Sequence, residues 1–595
     1  MAALEASLSD DQLSLRSAAE LLTEVGRANF SWLVQALAFL LSAEDLAGPL
    51  RQQAGLQLKL LISRNKPSFC QLEPASKLSL RSCLLASLGT ETWRPSTAGL
   101  CIQAGLEEDW EDLLPCLVRN ILDNSPAMIA SIESLKCICS GGDEGLVERH
   151  VDQVLTGIMY GVTQDREETV VAALQALLEC LDWTAGNFAR QQERNYIMTV
   201  VCNLTQSGRQ EVSSLALECL SRIVTLFYPL MEEYMMVALV PISLQALQSG
   251  QERTVLQAIE FWANICDCEL GLADNSLRDL LGDCSETLVD LLHRLMVEAD
   301  TAHLDMEEWS QFSAAANCLS LLCQCLGPRV SDHSLAFTSR MIQSGEWRNK
   351  HAAIINLSTI LEMEDRLALA SIVSSFLSLA DSLLQAENTH IRAAASYTLL
   401  QVSDRAEDAL KSSQSQAAML GLASACLQSE ETRIAEQGCL VISNILLRAL
   451  GEQSSHGLSE CLGTIGHHLL SLTDIDSPTV RVGSAVRQLA FTALSDLIDQ
   501  EAQHSDWLHT ALPRIMRRLD LLVSSEPSSG QNSDISFNSS ILNSIILRLE
   551  RAEVLTLAAE ILQVISRMFD HQQLHVDALL LLRALVDQLG ELIFL

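Results

Sequence analysis

Aromatic residues, proline and glycine are all scarce in this chain. Phe, Trp and Tyr make up 4% of the 595 residues, and there are 12 Pro and 27 Gly. Sheet proteins are rich in aromatic and β-branched residues, and many disordered chains are rich in Pro and Gly. Leu and Ala are abundant instead, and both favour helices. The composition therefore indicates packed helices, in a chain long enough to bury a large core without crosslinks.

Basic residues are few as well. The chain has 39 Lys and Arg against 75 Asp and Glu, which gives a formal net charge of −36. Because contact with phosphates needs a basic surface, we expect no direct binding to nucleic acid. A basic segment of another protein is the natural complement of such a surface. Alternatively, the acidity only keeps a helical protein in solution.

Signals for secretion or membrane insertion are also missing. Residues 1–15 contain Glu5, Asp10 and Asp11 and no basic region, unlike a signal peptide. No run of about 18 uncharged apolar residues occurs, so we expect no insertion into a membrane. The 18 cysteines have no framework spacing, and most lie in apolar runs. They are typical of small buried side chains in a reducing compartment.

Motifs of enzymes and bound cofactors are not found. The sequence has no phosphate-binding G-x-x-x-x-G-K-[ST], no H-E-x-x-H and no G-x-S-x-G. Three C-x-C pairs, which begin at Cys137, Cys266 and Cys323, lack a second pair at zinc-finger spacing. His467 and His468 end an apolar run and are expected on a helix surface. We therefore predict a protein that is not an enzyme and has no cofactor and no metal site.

Apolar residues recur with the period of a helix. Leu155, Ile158, Met159 and Val162, for example, form one stripe. Such helices come in pairs of roughly 40 residues, as in HEAT or armadillo repeats, and each pair must stack on its neighbours to bury its apolar face. The predicted pairs cover residues 10–43, 47–88, 94–122, 125–161, 167–206, 209–248, 251–297, 309–343, 347–386, 389–429, 431–474, 477–523 and 533–593.

Several short stretches occur in a characteristic order and spacing. They are Ala54–Lys59 (AGLQLK), Leu88–Ser96 (LGTETWRPS), Asp182–Phe188 (DWTAGNF), Asn195–Cys202 (NYIMTVVC), Met231–Met235 (MEEYM), Glu260–Asp267 (EFWANICD) and Ser344–Arg348 (SGEWR). In this order they resemble the amino-terminal two thirds of the importin-β (karyopherin-β) family, most closely between residues 51 and 270. The resemblance implies an all-α, HEAT-repeat (armadillo-like) solenoid wound as a right-handed superhelix.

The same resemblance implies a nuclear transport receptor. Such a receptor imports protein cargo, directly or through an importin-α adaptor, and crosses the nuclear pore by binding FG nucleoporins. It releases cargo when it binds Ran in the GTP form. The expected location is therefore the cytoplasm and the nucleus, including the nuclear envelope and pore.

The family binds FG repeats on the outer helices of neighbouring repeats in its amino-terminal half. The matching positions here are all apolar or aromatic: Met159, Tyr196, Ile197, Tyr234 and Ile242. The resemblance implies that they form an FG-nucleoporin pocket. Alternatively, the same side chains only fill the interface between repeats.

The family holds the basic helix of its adaptor with tryptophans and carboxylates. Trp309 matches one tryptophan, Tyr397 replaces a second, and Leu440 stands at a third. Leu440 cannot make a cation–π contact, which weakens the case for adaptor binding. Glu260 and Asp267 match acidic positions that meet basic partners.

The family's Ran surface begins in the first repeats and includes an acidic loop. Lys59 lies in the first recognisable stretch, and the loop is represented here by Asp300, Asp305, Glu307 and Glu308. The resemblance implies that Lys59, Asp305, Glu307 and Glu308 contact Ran. Alternatively, Glu307 and Glu308 belong to an ordinary helix start, where the helix dipole favours acidic residues.

The resemblance also suggests a division of the chain. Residues 1–297 form an amino-terminal arch, 298–308 the acidic loop, 309–523 cargo-binding repeats, 524–538 a flexible linker and 539–595 carboxy-terminal repeats. The family's last repeats have no counterpart, so we expect a carboxy terminus shortened relative to the family. Two other functions remain open: a divergent relative that binds Ran or FG repeats without the classical adaptor, and a plain HEAT scaffold.

Overall fold

A computed structural model describes most of the chain. The described residues are 2–8, 11–106, 110, 112–141, 144–271, 278–361, 366–449, 459–473, 484–500, 506–524 and 531–590. Throughout these ranges the regular elements are helices, and no strand occurs in them. They divide into two compact units, residues 1–280 and 281–595.

The first unit contains seventeen α-helices in its described residues. They are α1 (Ala2–Ala6), α2 (Gln12–Ala28), α3 (Phe30–Ser42), α4 (Gly48–Arg64), α5 (Lys66–Cys70), α6 (Pro74–Ser87), α7 (Thr97–Ala104), α8 (Leu113–Leu122), α9 (Met128–Gly141), α10 (Glu144–Val162), α11 (Glu167–Cys180), α12 (Ala185–Ala189), α13 (Gln191–Thr205), α14 (Gln210–Phe227), α15 (Glu232–Tyr234), α16 (Val240–Ala246) and α17 (Glu252–Gly271).

The helices of this unit pack as successive antiparallel pairs. The pairs are α3–α4, α6–α7, α8–α9, α10–α11, α13–α14 and α16–α17. The second helices of these pairs also pack in order, each on the next: α4, α7, α9, α11, α14 and α17. Each pair therefore buries its apolar face against its neighbours along the chain, as the repeat pattern predicts.

The second unit continues this arrangement. Its α-helices are α18 (Arg278–Glu298), α19 (Gln311–Leu326), α20 (Pro328–Met341), α21 (Trp347–Thr359), α22 (Arg366–Leu384), α23 (Thr389–Arg405), α24 (Ser413–Leu427), α25 (Thr432–Asn444), α26 (Ser459–Leu472), α27 (Ser484–Gln500), α28 (Asp506–Ser524), α29 (Gln531–Arg548), α30 (Arg551–Phe569) and α31 (His575–Leu589). From α20 on they pair in order, and the second helices α19, α21, α23, α25, α27, α29 and α31 pack in succession.

Polar contacts between second helices repeat at a spacing of about 40 residues. The Asn264 amide donates to the Ser221 hydroxyl at 2.8 Å, across 43 residues. The Thr398 hydroxyl donates to the Ile354 carbonyl at 3.0 Å, across 44 residues. In α25 the Asn444 amide donates to Ser403 of α23 at 3.1 Å, across 41 residues. The sequence separation of these contacts gives the length of the repeat, 41 to 44 residues.

The predicted pairs and the structural pairs differ in phase. Block 47–88 contains α4 and α6, and block 347–386 contains α21 and α22. Each of these blocks joins the second helix of one pair to the first helix of the next. Periodicity identifies the helices. It does not show whether a helix forms its antiparallel pair with the helix before it or with the helix after it.

The predicted linker, residues 524–538, is largely helical where it is described. Ser524 ends α28, and residues 531–538 form the first turns of α29. Ile535 and Asn538 are buried there, on the face that also carries the buried Ile541 and Leu542. Burial of this stripe stabilises a helix whose Ser and Asn content suggests a loop. Residues 525–530 lie outside the described part.

One described segment, Leu367–Leu384 of α22, is long and apolar enough to cross a membrane by length and composition alone. A bent pair, Gln210–Leu230 with Glu232–Ala246, passes the same test if the two halves are taken together. In α22 the buried positions Leu369, Ile372 and Phe376 form one stripe. Its exposed serines donate to the helix's own carbonyls, as Ser375 does to Ser371 at 2.9 Å. The helix is amphipathic and packs on α23 and α24.

Two of the characteristic stretches meet where α4 approaches α7. The buried Glu91 carboxylate accepts hydrogen bonds from the hydroxyls of Ser96 and Thr97 and from the Ala98 amide at 2.9 Å. It thereby binds the first turn of α7, whose amides have no partner within the helix. A Cβ atom built at Gly55 of α4 would lie 2.9 Å from the Thr97 Cβ. The stretches around Gly55 and Glu91 are therefore structural.

Candidate partner-binding surfaces

A cavity of about 510 Å³ lies between α10 and α13, the first helices of neighbouring pairs in the first unit. Its lining includes the buried side chains of Leu155, Met159 and Ile197. Tyr196 is 53% exposed and Leu122 is 41% exposed, so these two residues stand at its edge. We call this space the Tyr196 cavity. An apolar floor with an accessible aromatic rim is suited to an inserted apolar side chain.

One wall of the Tyr196 cavity is polar. The Asn187 amide donates to the carboxylates of Asp152 at 2.7 Å and Glu193 at 2.8 Å. The Arg190 guanidinium also binds both, donating to Asp152 at 2.7 Å. Hydrogen bonds from Asn187 and Arg190 hold the pKa of Asp152 below its usual value, and those from Arg190 and Asn187 lower the pKa of Glu193. Both carboxylates therefore stay ionised and fixed.

The two hydrogen bonds of the Asn187 side chain use its amide nitrogen and leave its Oδ1 atom without a role in them. The residue is 2% exposed, and its Oδ1 has no hydrogen-bond partner among the described residues. Burying an acceptor without a partner costs roughly 1–3 kcal/mol. Asn187 lines the Tyr196 cavity, so a partner that brings an N–H group would satisfy this oxygen.

The other two predicted FG positions lie elsewhere. The Tyr234 hydroxyl donates to the Asn195 side chain and accepts from Arg194 at 3.3 Å, which ties α15 to α13. Ile242 lines a separate cavity of about 170 Å³ with the end of α13 and the start of α17. The structure thus brings Met159, Tyr196 and Ile197 together and leaves Tyr234 and Ile242 outside that cavity.

In the second unit the predicted acidic loop folds onto α25. Asp300 caps a short turn by accepting from the Ala302 amide at 3.4 Å. Asp305 and Glu307 both pair with the Arg433 guanidinium, Glu307 at 3.4 Å. The Asp305–Arg433 contact joins residues 128 apart in sequence. Two of the three carboxylates predicted to bind Ran are therefore already paired within the chain.

The three predicted adaptor positions of the second unit differ in exposure. Trp309 is 66% exposed and follows the acidic loop directly. Tyr397 of α23 is half-buried and lines a cavity of about 200 Å³ together with Asp305 and Arg433. Burial raises the pKa of its phenol, which therefore stays protonated. Leu440 of α25 is half-buried. Among these three, Trp309 presents the largest accessible aromatic face.

The remaining predicted residues are accessible on second helices or in the loop. Glu260 and Asp267 are exposed on α17, two turns apart and hence on one face. Lys59 is half-buried on α4, and Glu308 is exposed at the end of the loop.

Sequence reasoning missed Asn187, Arg190 and Arg433. The sequence predicts Asn187 as part of the Asp182–Phe188 stretch and as a helix cap, whereas it lies within α12. No local pattern shows that its amide oxygen will be buried without a partner. Arg433 could have been suspected only from its charge, because its acidic partners lie 128 residues away.

Stacked helix pairs with a groove between first helices define the class of protein to which this fold belongs: the helical-repeat proteins. No established family profile matches the chain. The chain is 26% identical to importin subunit beta-1 of Schizosaccharomyces pombe over 476 residues, which is 74% of this chain and 55% of that protein. It is 28% identical to importin subunit beta-1 of Arabidopsis thaliana over 416 residues, 64% of this chain and 48% of that protein.

Solved structures agree. A crystal structure of importin beta in an ammonium sulfate condition superposes with a TM-score of 0.84 at 23% identity, covering 99% of this chain and 73% of that one. Kap95p in a structure with RanGDP superposes with a TM-score of 0.82 at 20% identity. Kap95 in a complex with Nup1 superposes with a TM-score of 0.81 at 20% identity. Both superpositions cover 99% of this chain and 72% of the other.

The chain is thus similar to importin subunit beta-1, and the resemblance suggested by its short stretches is confirmed. The all-α HEAT-repeat fold is confirmed with it. The relatives are importin subunits rather than enzymes, in agreement with the prediction of a non-enzymatic chain. The chain spans about half the length of the curated relatives that it matches.

Proposed function

We propose that this chain is a nuclear transport receptor that binds FG nucleoporins through the Tyr196 cavity. The observation that carries the proposal is the combination, in one cavity, of an apolar floor, an exposed tyrosine and an unpaired acceptor on Asn187. A phenylalanine side chain suits the floor formed by Met159 and Ile197. The glycine that follows it lets a backbone amide approach closely, since glycine has no side chain. That amide is the donor that Asn187 Oδ1 lacks.

Similarity to Kap95p, which has been solved in complex with Nup1 and with RanGDP, supports the same function. We propose further that the chain binds Ran in the GTP form and carries cargo, directly or through an importin-α adaptor, between cytoplasm and nucleus. A basic helix would meet Trp309 of the second unit, whose indole ring is exposed. In the first unit, Glu260 and Asp267 are exposed on α17 and would pair with a basic segment of a partner. Leu440 offers no aromatic face, which favours cargo that relies less on cation–π contacts than the adaptor helix does.

The first test is the affinity for an FG-repeat peptide, measured by fluorescence anisotropy. Replacing Tyr196→Ala removes the exposed rim of the cavity and should weaken binding about tenfold, or about 1.4 kcal/mol. The matched control is Phe39→Ala, because Phe39 is also an exposed aromatic residue on a first helix of the same unit (66% exposed). Phe39→Ala should leave the affinity unchanged. Equal affinities for the Tyr196→Ala variant and the original chain would place FG binding elsewhere.

A further inference from the structure

Three side chains that the proposed function does not use converge between α18 and α20. Asp290 and His293 lie three positions apart on α18 and so share one face of that helix. His333 reaches them from α20. One ligating atom from each of the three lies within 4.8 Å of the other two.

The orientation of His293 is fixed by Asn356 of α21. The two hydrogens of the Asn356 amide are both donated, to the Ser334 carbonyl at 3.0 Å and to the Thr338 hydroxyl at 2.9 Å. Asn356 Oδ1 must therefore be the acceptor in its 2.9 Å contact with His293 Nε2. It follows that Nε2 of His293 carries the hydrogen and that Nδ1 carries a lone pair.

That lone pair has nothing to bind among the described residues. His293 is 2% exposed, and its Nδ1 has no hydrogen-bond partner. The Phe337 ring stacks on the His293 imidazole, with ring centroids 3.9 Å apart, and holds it in place. Desolvation lowers the pKa of His293 to about 4, so the ring is neutral at physiological pH. A neutral imidazole whose other nitrogen donates to an amide oxygen is the usual state of a metal ligand.

His333 and Asp290 supply access from solvent. Their side chains are 33% and 63% exposed, and His333 Nε2 lies 2.8 Å from the Asp290 carboxylate. Without a metal, His333 donates its Nε2 hydrogen to Asp290. With a metal, the hydrogen would reside on Nδ1 instead, and exchange with solvent allows this change of tautomer without a change in charge.

We propose that Asp290, His293 and His333 form a binding site for a zinc-like divalent metal ion. Two imidazole nitrogens and one carboxylate oxygen are a donor set typical of Zn²⁺, with a water molecule as the fourth ligand. Asn356 is the positioning residue for His293. Because the ligands come from α18 and α20, the ion would join these two helices within the second unit.

The separation of the ligands explains why the sequence predicts no metal site. His293 and His333 are 40 positions apart, one repeat, and neither belongs to a short motif with zinc-ligand spacing. The repeat itself places them side by side. The proposed site therefore differs from the expectation that the chain has no metal site.

The test uses the full chain, stripped of metal and kept reduced, and titrated with Zn²⁺ in a calorimeter. The variants are His333→Gln and Asp290→Asn, both at accessible positions. The matched control is His509→Gln, because His509 also pairs with a carboxylate, Glu553 at 3.7 Å, in the same unit. We expect the original chain and His509→Gln to bind one more equivalent of Zn²⁺ than the other two variants.

Since cysteines also bind Zn²⁺, the coordination must be identified as well. Co²⁺ substituted at the proposed site should give visible absorption without the intense thiolate band, and this signal should vanish in His333→Gln. Zn²⁺ should also raise the unfolding midpoint of the original chain but not that of His333→Gln. Equal stoichiometry in the original chain and His333→Gln, or ligation by sulfur alone, would overturn the proposal.

Discussion

Arg433 controls how much of the acidic loop is available to a partner. Its guanidinium is about one-third exposed and pairs with Asp305 and Glu307, while Glu308 and Trp309 remain exposed beside it. The same arginine lines the cavity next to Tyr397. A basic partner must therefore compete with an arginine of the chain itself for these two carboxylates.

Replacing Arg433→Ala should strengthen the binding of a Lys- and Arg-rich peptide. The variant frees two carboxylates, and partly exposed ion pairs are worth up to about 1 kcal/mol each, so we expect a three- to tenfold gain in affinity. Fluorescence anisotropy at low salt measures it. The control is Arg567→Ala, which removes the same charge but breaks a pair with Asp520 of α28. Unchanged or weaker binding in Arg433→Ala alone would show that the loop does not contact basic partners.

At the scale of helices, the close contact between α4 and α7 depends on Gly55, because glycine has no side chain. Gly55 lies where an added methyl group would meet Thr97 Oγ1 at 2.7 Å and Leu41 Cδ1 at 3.2 Å. The hydroxyl of Thr97 is itself held by Glu91. A larger residue at position 55 must therefore push the two second helices apart or break the Glu91 cluster.

Gly55→Ala should lower the free energy of unfolding by roughly 1–3 kcal/mol, the typical cost of overpacking. Gly421→Ala is the control, because Gly421 is exposed in α24 with no atom within 4 Å of the added methyl group. It should instead raise stability by about 0.5–1 kcal/mol, since alanine is the better helix former. Thermal unfolding followed by circular dichroism compares both variants. A neutral or stabilising Gly55→Ala would contradict the close packing.

The sequence predicts elements better than it predicts contacts between them. Stripes such as Leu155, Ile158 and Val162 identify α10 correctly because burial acts at the helical period. Ser and Asn dominate the first turns of α29 and predict a linker there, whereas the burial of Ile535 stabilises a helix. Likewise, the resemblance predicts that Met159, Tyr196 and Ile197 lie together. The unpaired oxygen of Asn187 and the His293–His333 contact appear only when neighbouring repeats are stacked.

For the whole molecule, the consequence of stacking is that stability and shape are sums of contacts between neighbours. A ligand that favours one packing of the repeats then weakens any ligand that favours another, and the coupling is reciprocal. This is the physical basis on which Ran and a cargo could oppose each other.

We expect RanGTP to weaken the binding of a basic adaptor helix, and the helix to weaken RanGTP by the same factor. Coupling of 1–3 kcal/mol, roughly 5- to 150-fold, is typical. The measurement is retention of the chain on immobilised Ran loaded with GTP, with GDP-loaded Ran as the control, with and without the peptide. If RanGTP and the basic helix bound at the same time without weakening each other, release of cargo by RanGTP would be contradicted. The affinity for an FG-repeat peptide reports separately on binding to the nuclear pore.

The pairing of the acidic loop with Arg433 also affects the chain during synthesis. Most contacts between repeats join residues about 40 apart, so each helix pair can dock soon after it leaves the ribosome. Asp305 must wait for an arginine 128 residues later. At typical rates of translation that delay lasts roughly 6 to 26 seconds. Throughout this interval the nascent loop presents unpaired carboxylates to any basic protein nearby.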